Sequence, residues 1–187
     1  MGGQGRRLGG PKAEVLLAGK AMLDHVLAPL RTCCQRVVLV GDHQQSAASR
    51  GLESLPDLYP GEGPVGGILT ALEATEAAWL LCVAVDLPLL RPELLALLCA
   101  RMGETQAVVP RLAEPEPLVA LYCRGALPAI RAAFDQGERS ARRILQHLEV
   151  EWVERSELLA VDPELVSFLN VNRAEDLDRA RQLLEER

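Results

Sequence analysis

At 187 residues the chain is long enough for one sizeable hydrophobic core and short for two independent enzyme domains, so residues 1–187 are expected to form a single domain. With 49% hydrophobic and 25% charged residues and a mean hydropathy of +0.08, it reads as globular, and no apolar run approaches the roughly 18 residues of a membrane span. A net charge of -6 argues against general nucleic-acid binding, which rests on Lys and Arg clustered against phosphates.

In chain order, the opening "MGGQGRRLGGPK" follows no predicted element. Helical spacing of apolar residues in "AMLDHVLAPLRTC" is followed by the β-branched run "RVVLVG", a helix and then a buried strand ending at Gly41. "HQQSAASRG" reads as a short helix or turn, "LESLPD" as the lead into a loop, and "YPGEGPVGG" as a Gly/Pro cluster before the amphipathic "ILTALEATEA". The run "WLLCVAV" is nearly continuously apolar, which predicts a strand covered on both faces. "RPELLALLCARM" has proline at a helix first turn. Two strands, "AVVPRL" and "LVALYC", flank the acidic "AEPEP"; helices over 125–135 and 139–148 precede the strand "EVEWVER" and a closing turn and polar helix in "LNVNRAEDLDRARQLLEE". Strands alternating with helices predict an α/β fold, a mostly parallel sheet with helices on both faces, and ligands at the carboxyl ends of strands.

The five cysteines (Cys33, Cys34, Cys82, Cys99, Cys123) form no CxxC pair and sit mostly in apolar runs, as buried or incidental thiols do. The three histidines are scattered, so zinc and triad chemistry have no spacing to rest on. Nothing resembles an export leader, and the cytoplasm is the expected compartment.

Lysine occurs only at Lys12 and Lys20, every other basic residue being arginine. In the opening stretch, glycines let consecutive backbone N–H groups turn toward an anion, and Arg6, Arg7 and Lys12 add cationic donors, a pattern suited to polyphosphate. It is no Walker A loop, because Ala13 follows Lys12 where a hydroxyl is needed, and its glycines lack the GxGxxG spacing. A disordered terminus is the alternative. In "VAVDLPLL" a lone carboxylate, Asp86, follows the most hydrophobic strand, where it suits a magnesium ligand or the N-cap of the next helix. Asp57 and the glycines Gly63 and Gly66 approach a helix N-terminus in "LPDLYPGEGPVGGI", a place for a nucleotide. Asn170 and Asn172 lie on one side of an extended segment ahead of the last helix, as ligands or as simple caps.

Taken together, these motifs resemble those of the molybdenum cofactor guanylyltransferases, a branch of the nucleotidyltransferase superfamily. The resemblance rests on Gly2, Gly3, Arg7, Leu8, Gly9 and Lys12, on Asp57 with "GPVGG", on Asp86 with Pro88, on Pro117, Ala120 and Tyr122, on Gly137 to Arg139, and on Asn170 to Asn172. It implies a Rossmann-like nucleotidyltransferase fold and transfer of GMP from GTP to molybdopterin or the molybdenum cofactor. Lys12 and Arg7 would neutralise phosphate charge, Asp86 would hold Mg2+, Gly2, Gly3, Asp57, Gly63 and Gly66 would bind the nucleotide, and Asn170 and Asn172 would lie near the metal or on the pterin side. A related cytidylyltransferase or other small-molecule nucleotidyltransferase, or a non-catalytic nucleotide-binding remnant, are the alternatives. Molybdoenzymes or other cofactor-biosynthesis proteins are the partners implied, with neither nucleic acid nor membrane among them. One departure stands out: the family places a buried strand ahead of the glycine pair, where this sequence has Met1, so the first strand is expected to be missing from it.

Overall fold

The structure, a computed structural model, describes residues 11–41 and 43–186. After a 3-10 turn at Lys12–Glu14, the strands β1 (Leu16–Leu17) and β2 (Lys20–Ala21) form a small antiparallel hairpin. Helix α1 (Met22–Cys33) buries Met22, Leu23, Val26, Leu27 and Leu30, the 3–4 spacing that its sequence carries. β3 (Val38–Val40) leads through α2 (Gln44–Ala48) to β4 (Glu53–Leu55), which pairs with it in parallel. The segment "LESLPD", expected to lead into a loop, therefore contains a strand. Its Glu-Ser-Leu core has no apolar alternation to announce it, and pairing with β3 is what makes it extended.

Helix α3 (Gly63–Glu73) starts inside the Gly/Pro cluster rather than after it, with Pro64 in its first turn. β5 (Trp79–Val83), α4 (Pro92–Ala100), β6 (Ala107–Arg111), β7 (Val119–Cys123), α5 (Leu127–Asp135), α6 (Ala141–Ile144), β8 (Val150–Glu154), α7 (Arg155–Val161) and α8 (Ala174–Glu185) follow. The main sheet has the order β5-β7-β6-β8. β7 is antiparallel to both β5 and β6, and β8 is parallel to β6, so β5, β6 and β8 share one direction and β7 alone is reversed.

Side-chain alternation along these strands builds the two faces. Ala107, Val109, Ala120 and Tyr122 pack with α3, α5 and α6, while Val108, Val119, Leu121 and Val153 pack with α1, α4 and α7. Helices on both faces are thus as expected. A third apolar cluster, with Leu17, Met22, Leu89, Val166, Val171 and Leu177, seats α8 beside the carboxyl end of β5. Tyr122, fully buried, donates its hydroxyl to Pro117 O at 2.9 Å and so closes the turn into β7.

Two expectations about burial fail. Every residue of β3, expected to be a buried strand, and of β5, expected to be covered on both faces, is half-buried. Residues of β3 and β5 line a common cavity of about 630 Å³, bounded further by α1 and α3, which leaves both strands open on that side. The expected loss of a first strand concerns chain at and ahead of the opening residues, outside the described ones. Among the described residues no helix is long and apolar enough to cross a membrane. Of the cysteines, Cys33 is exposed and the others half-buried; burial pushes the Cys82 thiol up to about 11 and the Cys34 thiol to about 12, so both stay protonated near neutrality.

Candidate active site

Three segments far apart in sequence meet at one lysine. Pro11 leads into the Lys12–Glu14 turn, and Glu14 is fixed from outside by Arg50, whose Nη1 and Nη2 donate to its two oxygens at 2.9 and 3.1 Å. Lys12 Nζ then donates to Asp86 Oδ2 at 3.1 Å and to Asn172 Oδ1, partners 74 and 160 residues away. The Lys12 and Asp86 side chains are 18% and 21% exposed, sheltered but reachable by a ligand. Asp86 lies just past β5, at the carboxyl end where α/β sheets place their ligands.

The capping alternatives for Asp86 and Asn172 do not hold. Helix α4 has Arg91 at its N-cap, not Asp86. At the start of α8 it is Asp176 that caps, its Oδ2 accepting from the N–H groups of Asn172 and Arg173 at 2.9 Å each. Those bonds, Asn172's first, hold the Asp176 carboxyl below its ordinary value. The Asn172 side chain is left for Lys12. Asn170 is exposed and its amide donates to Phe168 O at 3.5 Å, turning back on its own segment rather than toward Lys12.

Asp57, Gly63 and Gly66 form a second group. Asp57 Oδ1 accepts from Tyr59 N at 3.0 Å and from Thr70 Oγ1 at 3.3 Å, while Thr70 Oγ1 accepts from Leu58 N at 3.1 Å, so the loop is stitched to α3 by a buried hydroxyl. Gly63 has φ +72°, a conformation that favours glycine, and a Cβ at Gly66 would lie 2.8 Å from Tyr59 Cβ. Arg139 ties the same loop to the Gly137–Arg139 turn: it bonds Glu62, donates to Phe134 O at 2.6 Å and stacks 3.8 Å over the Phe134 ring. Gly2, Gly3 and Arg7, the remaining predicted site residues, lie outside the described residues.

Sequence reasoning missed the residues that hold this geometry. Arg50 is one arginine among many, in a segment read only as a helix or turn. Asp162, Ser167 and Arg91, which connect the Asn172 and Asp86 segments, carried no motif; the one available signal was Asp162 directly after the apolar run of "LLAVDPELVSF". The large cavity between β3 and β5 is lined by none of Lys12, Asp86 or Asn172, so polar convergence rather than concavity marks the site.

A mixed α/β sheet with this site at a strand's carboxyl end places the molecule among the nucleotidyltransferase folds. A crystal structure described as molybdopterin-guanine dinucleotide biosynthesis protein A from Archaeoglobus fulgidus superposes with a TM-score of 0.85 at 34% identity, covering 100% of this chain and 96% of that one. The 2-C-methyl-D-erythritol 4-phosphate cytidylyltransferase of Thermus thermophilus, 19% identical over 93% of this chain and 94% of its own, shares the fold with a TM-score of 0.74. In sequence, a Desulfosudis oleivorans protein named molybdenum cofactor guanylyltransferase is 30% identical over 187 residues, 98% of this chain and 93% of that protein. Residues 1–152 match the family described as MobA-like NTP transferase domain, and the chain belongs to that family.

Proposed function

We propose that this protein transfers GMP from GTP to the terminal phosphate of molybdopterin, forming the guanine dinucleotide cofactor and releasing pyrophosphate. The observation that carries the reading is the meeting of Lys12, Asp86 and Asn172 at the carboxyl end of β5, in a chain with near full-length relatives of that name. A new P–O bond forms between the pterin phosphate and the α-phosphorus as the bond to pyrophosphate breaks, and the protein's task is to position both phosphates and offset their charge.

Each residue has a definite part in this. An ammonium has three N–H donors; with two directed at Asp86 and Asn172, Lys12 has one for a phosphate oxygen. Arg7, with the backbone of Gly2 and Gly3, supplies further donors from the opening stretch. Asp57 keeps Tyr59 N–H and Thr70 on one oxygen and retains acceptor capacity for guanine N1–H and the exocyclic amine. Gly63 and Gly66 allow the loop to approach the base, and Asn170 serves the pterin side.

The donor set suits magnesium. The Asp86 carboxylate and the Asn172 amide oxygen are hard oxygen donors already gathered about one cation, the Lys12 ammonium, and magnesium is held through one or two carboxylates with substrate phosphates completing its shell. Bound there in place of the ammonium, it would supply charge compensation for the phosphates, and Lys12 would turn its donors to the phosphate oxygens. GTP as donor fits the cytoplasm, and molybdoenzymes are the recipients this product implies.

Pyrophosphate release from the purified protein with molybdopterin and magnesium is the direct test. Release with GTP and little with CTP is the expected result. Equal or faster release with CTP, or nucleotide binding with no release, overturns the reading.

A further inference from the structure

Among the described residues Asp162 and Ser167, both 0% exposed, are two of the few buried polar side chains, and both lie in the short segment that leads to Asn172. Burying a carboxylate is unfavourable unless it is paired and hydrogen-bonded, and Asp162, 0% exposed, is both. Its Oδ1 accepts from Val166 N at 3.2 Å and its Oδ2 from Ser167 N at 2.8 Å, and Arg91 Nε stands 3.2 Å away as its ion-pair partner. Ser167 Oγ accepts from Arg91 N at 3.0 Å. Between these anchors Leu165 is held at φ +53°, a left-handed conformation that a leucine adopts only where its surroundings compel it.

The other end of each segment is also joined. Arg91 closes the stretch 86–91 that begins at Asp86, and Val171 N donates to Asp86 O at 2.8 Å. The two segments are therefore stitched at Asp162–Arg91, Ser167–Arg91 and Val171–Asp86, and Lys12 lies across their far end, between Asp86 and Asn172. We propose that Asp162 and Ser167 are positioning residues: they lock segment 162–172 onto segment 86–91 and so set the spacing of Asn172 and Asp86 about Lys12. Their bonds run to Arg91 and within their own segment. The proposal rests on the reading of that trio as the nucleotidyl-transfer site, but its structural part is separable from catalysis.

Backbone amide exchange separates the two. In the wild-type protein the N–H groups of Val171 and Arg91 are expected to be protected by their bonds to Asp86 O and Ser167 Oγ. In Asp162→Asn, whose amide cannot accept at both oxygen positions, and in Ser167→Ala, their exchange should rise about tenfold or more while amides of β6 and β7 stay as they were. Ser167→Thr keeps the acceptor and should restore protection. With GTP and molybdopterin, assayed well below each variant's melting temperature, kcat should fall about tenfold while KM for GTP moves less than about threefold, since the guanine loop around Asp57 is untouched. Unchanged Val171 exchange in both variants overturns the proposal, as does an equal rise across β6 and β7, which marks a merely structural role. If Asp162→Asn does not fold, Ser167→Ala decides. Should the wild-type protein release no pyrophosphate, the functional reading fails and the exchange pattern still decides the positioning claim.

Discussion

Replacing Arg50 with alanine removes the guanidinium that joins the Lys12 turn to α1 and α2. The Arg50 side chain is 12% exposed; its Nε and Nη2 donate to the two oxygens of Asp24 at 2.6 and 3.2 Å, alongside the two bonds to Glu14. Bonds to charged groups of this kind contribute about 1.5–3 kcal/mol each when well sheltered. The two carboxylate side chains, however, are 42% and 41% exposed, where screening reduces ordinary ion pairs to about 0–1 kcal/mol. Paired donation to both acids places the whole network at about 1–2 kcal/mol. At roughly 2–4 °C per kcal/mol for a chain of this size, Arg50→Ala should melt about 2–8 °C lower at pH 7. Hydrogen bonding to Arg50 holds Glu14 below its ordinary 4.5 and Asp24 below its ordinary 3.8. A carboxyl depressed in the folded chain stabilises it above the unfolded pKa and ceases to do so as pH falls through the folded one. The gap in Tm between wild type and variant should therefore be full at neutral pH and close progressively once pH drops below those ordinary values. Thermal melts of both proteins across that range check it. A gap that persists unchanged into strong acid, or one under about 1 °C at pH 7, refutes the reasoning.

Lys12→Ala should weaken GTP binding about tenfold to a hundredfold, the worth of a charged donor to phosphate, with little change in Tm because its ion pair is partly exposed; calorimetry with GTP checks both, and equal affinity removes Lys12 from the site. Asp57→Asn keeps an amide oxygen for Tyr59 N–H and Thr70 but presents a donor to guanine, so it should relax the preference for GTP over ITP more than it slows transfer overall. A wild-type enzyme indifferent to ITP sinks that role. Gly66→Ala gains about 1 kcal/mol of helix propensity yet forces a Cβ to 2.8 Å from Tyr59 Cβ, an overpacking that costs about 1–3 kcal/mol. A lower Tm is expected, and a raised Tm means that Tyr59 gives way freely.

The elements that could be read from sequence are those whose signal is local. The 3–4 spacing of Val26, Leu27 and Leu30 announces α1, Pro92 marks the first turn of α4, and the apolar runs of β6 and β7 need no partner to be recognised. β4 escaped because Glu53 and Ser54 carry no strand pattern and become one only beside β3. α7 escaped although its start is written locally: Glu157 Oε2 accepts from Glu154 N at 3.0 Å, a capping arrangement with three-residue spacing that was open to reading. The reversal of β7 has no local signature at all, since strand direction is settled by which neighbours pair.

The site divides along the same line, chemistry being local and geometry not. A lone carboxylate after an apolar strand and a lysine after a glycine-rich stretch name the chemical types, yet Lys20 is as rare as Lys12 and no composition separates them. What separates them is position: Lys20 sits exposed in the β2 hairpin, whereas the Lys12 turn is drawn inward by Arg50, 36 residues beyond Glu14, and its ammonium meets Asp86 and Asn172. Each of those partners is itself held by another long-range contact, Asp86 by Val171 and the approach to Asn172 by Asp162 and Ser167. A reading confined to windows of sequence therefore finds the groups proposed to meet a ligand and passes over those that aim them. Substitution at Arg50, Asp162 and Ser167, none of which is proposed to touch a substrate, therefore tests the geometry of the site rather than its chemistry.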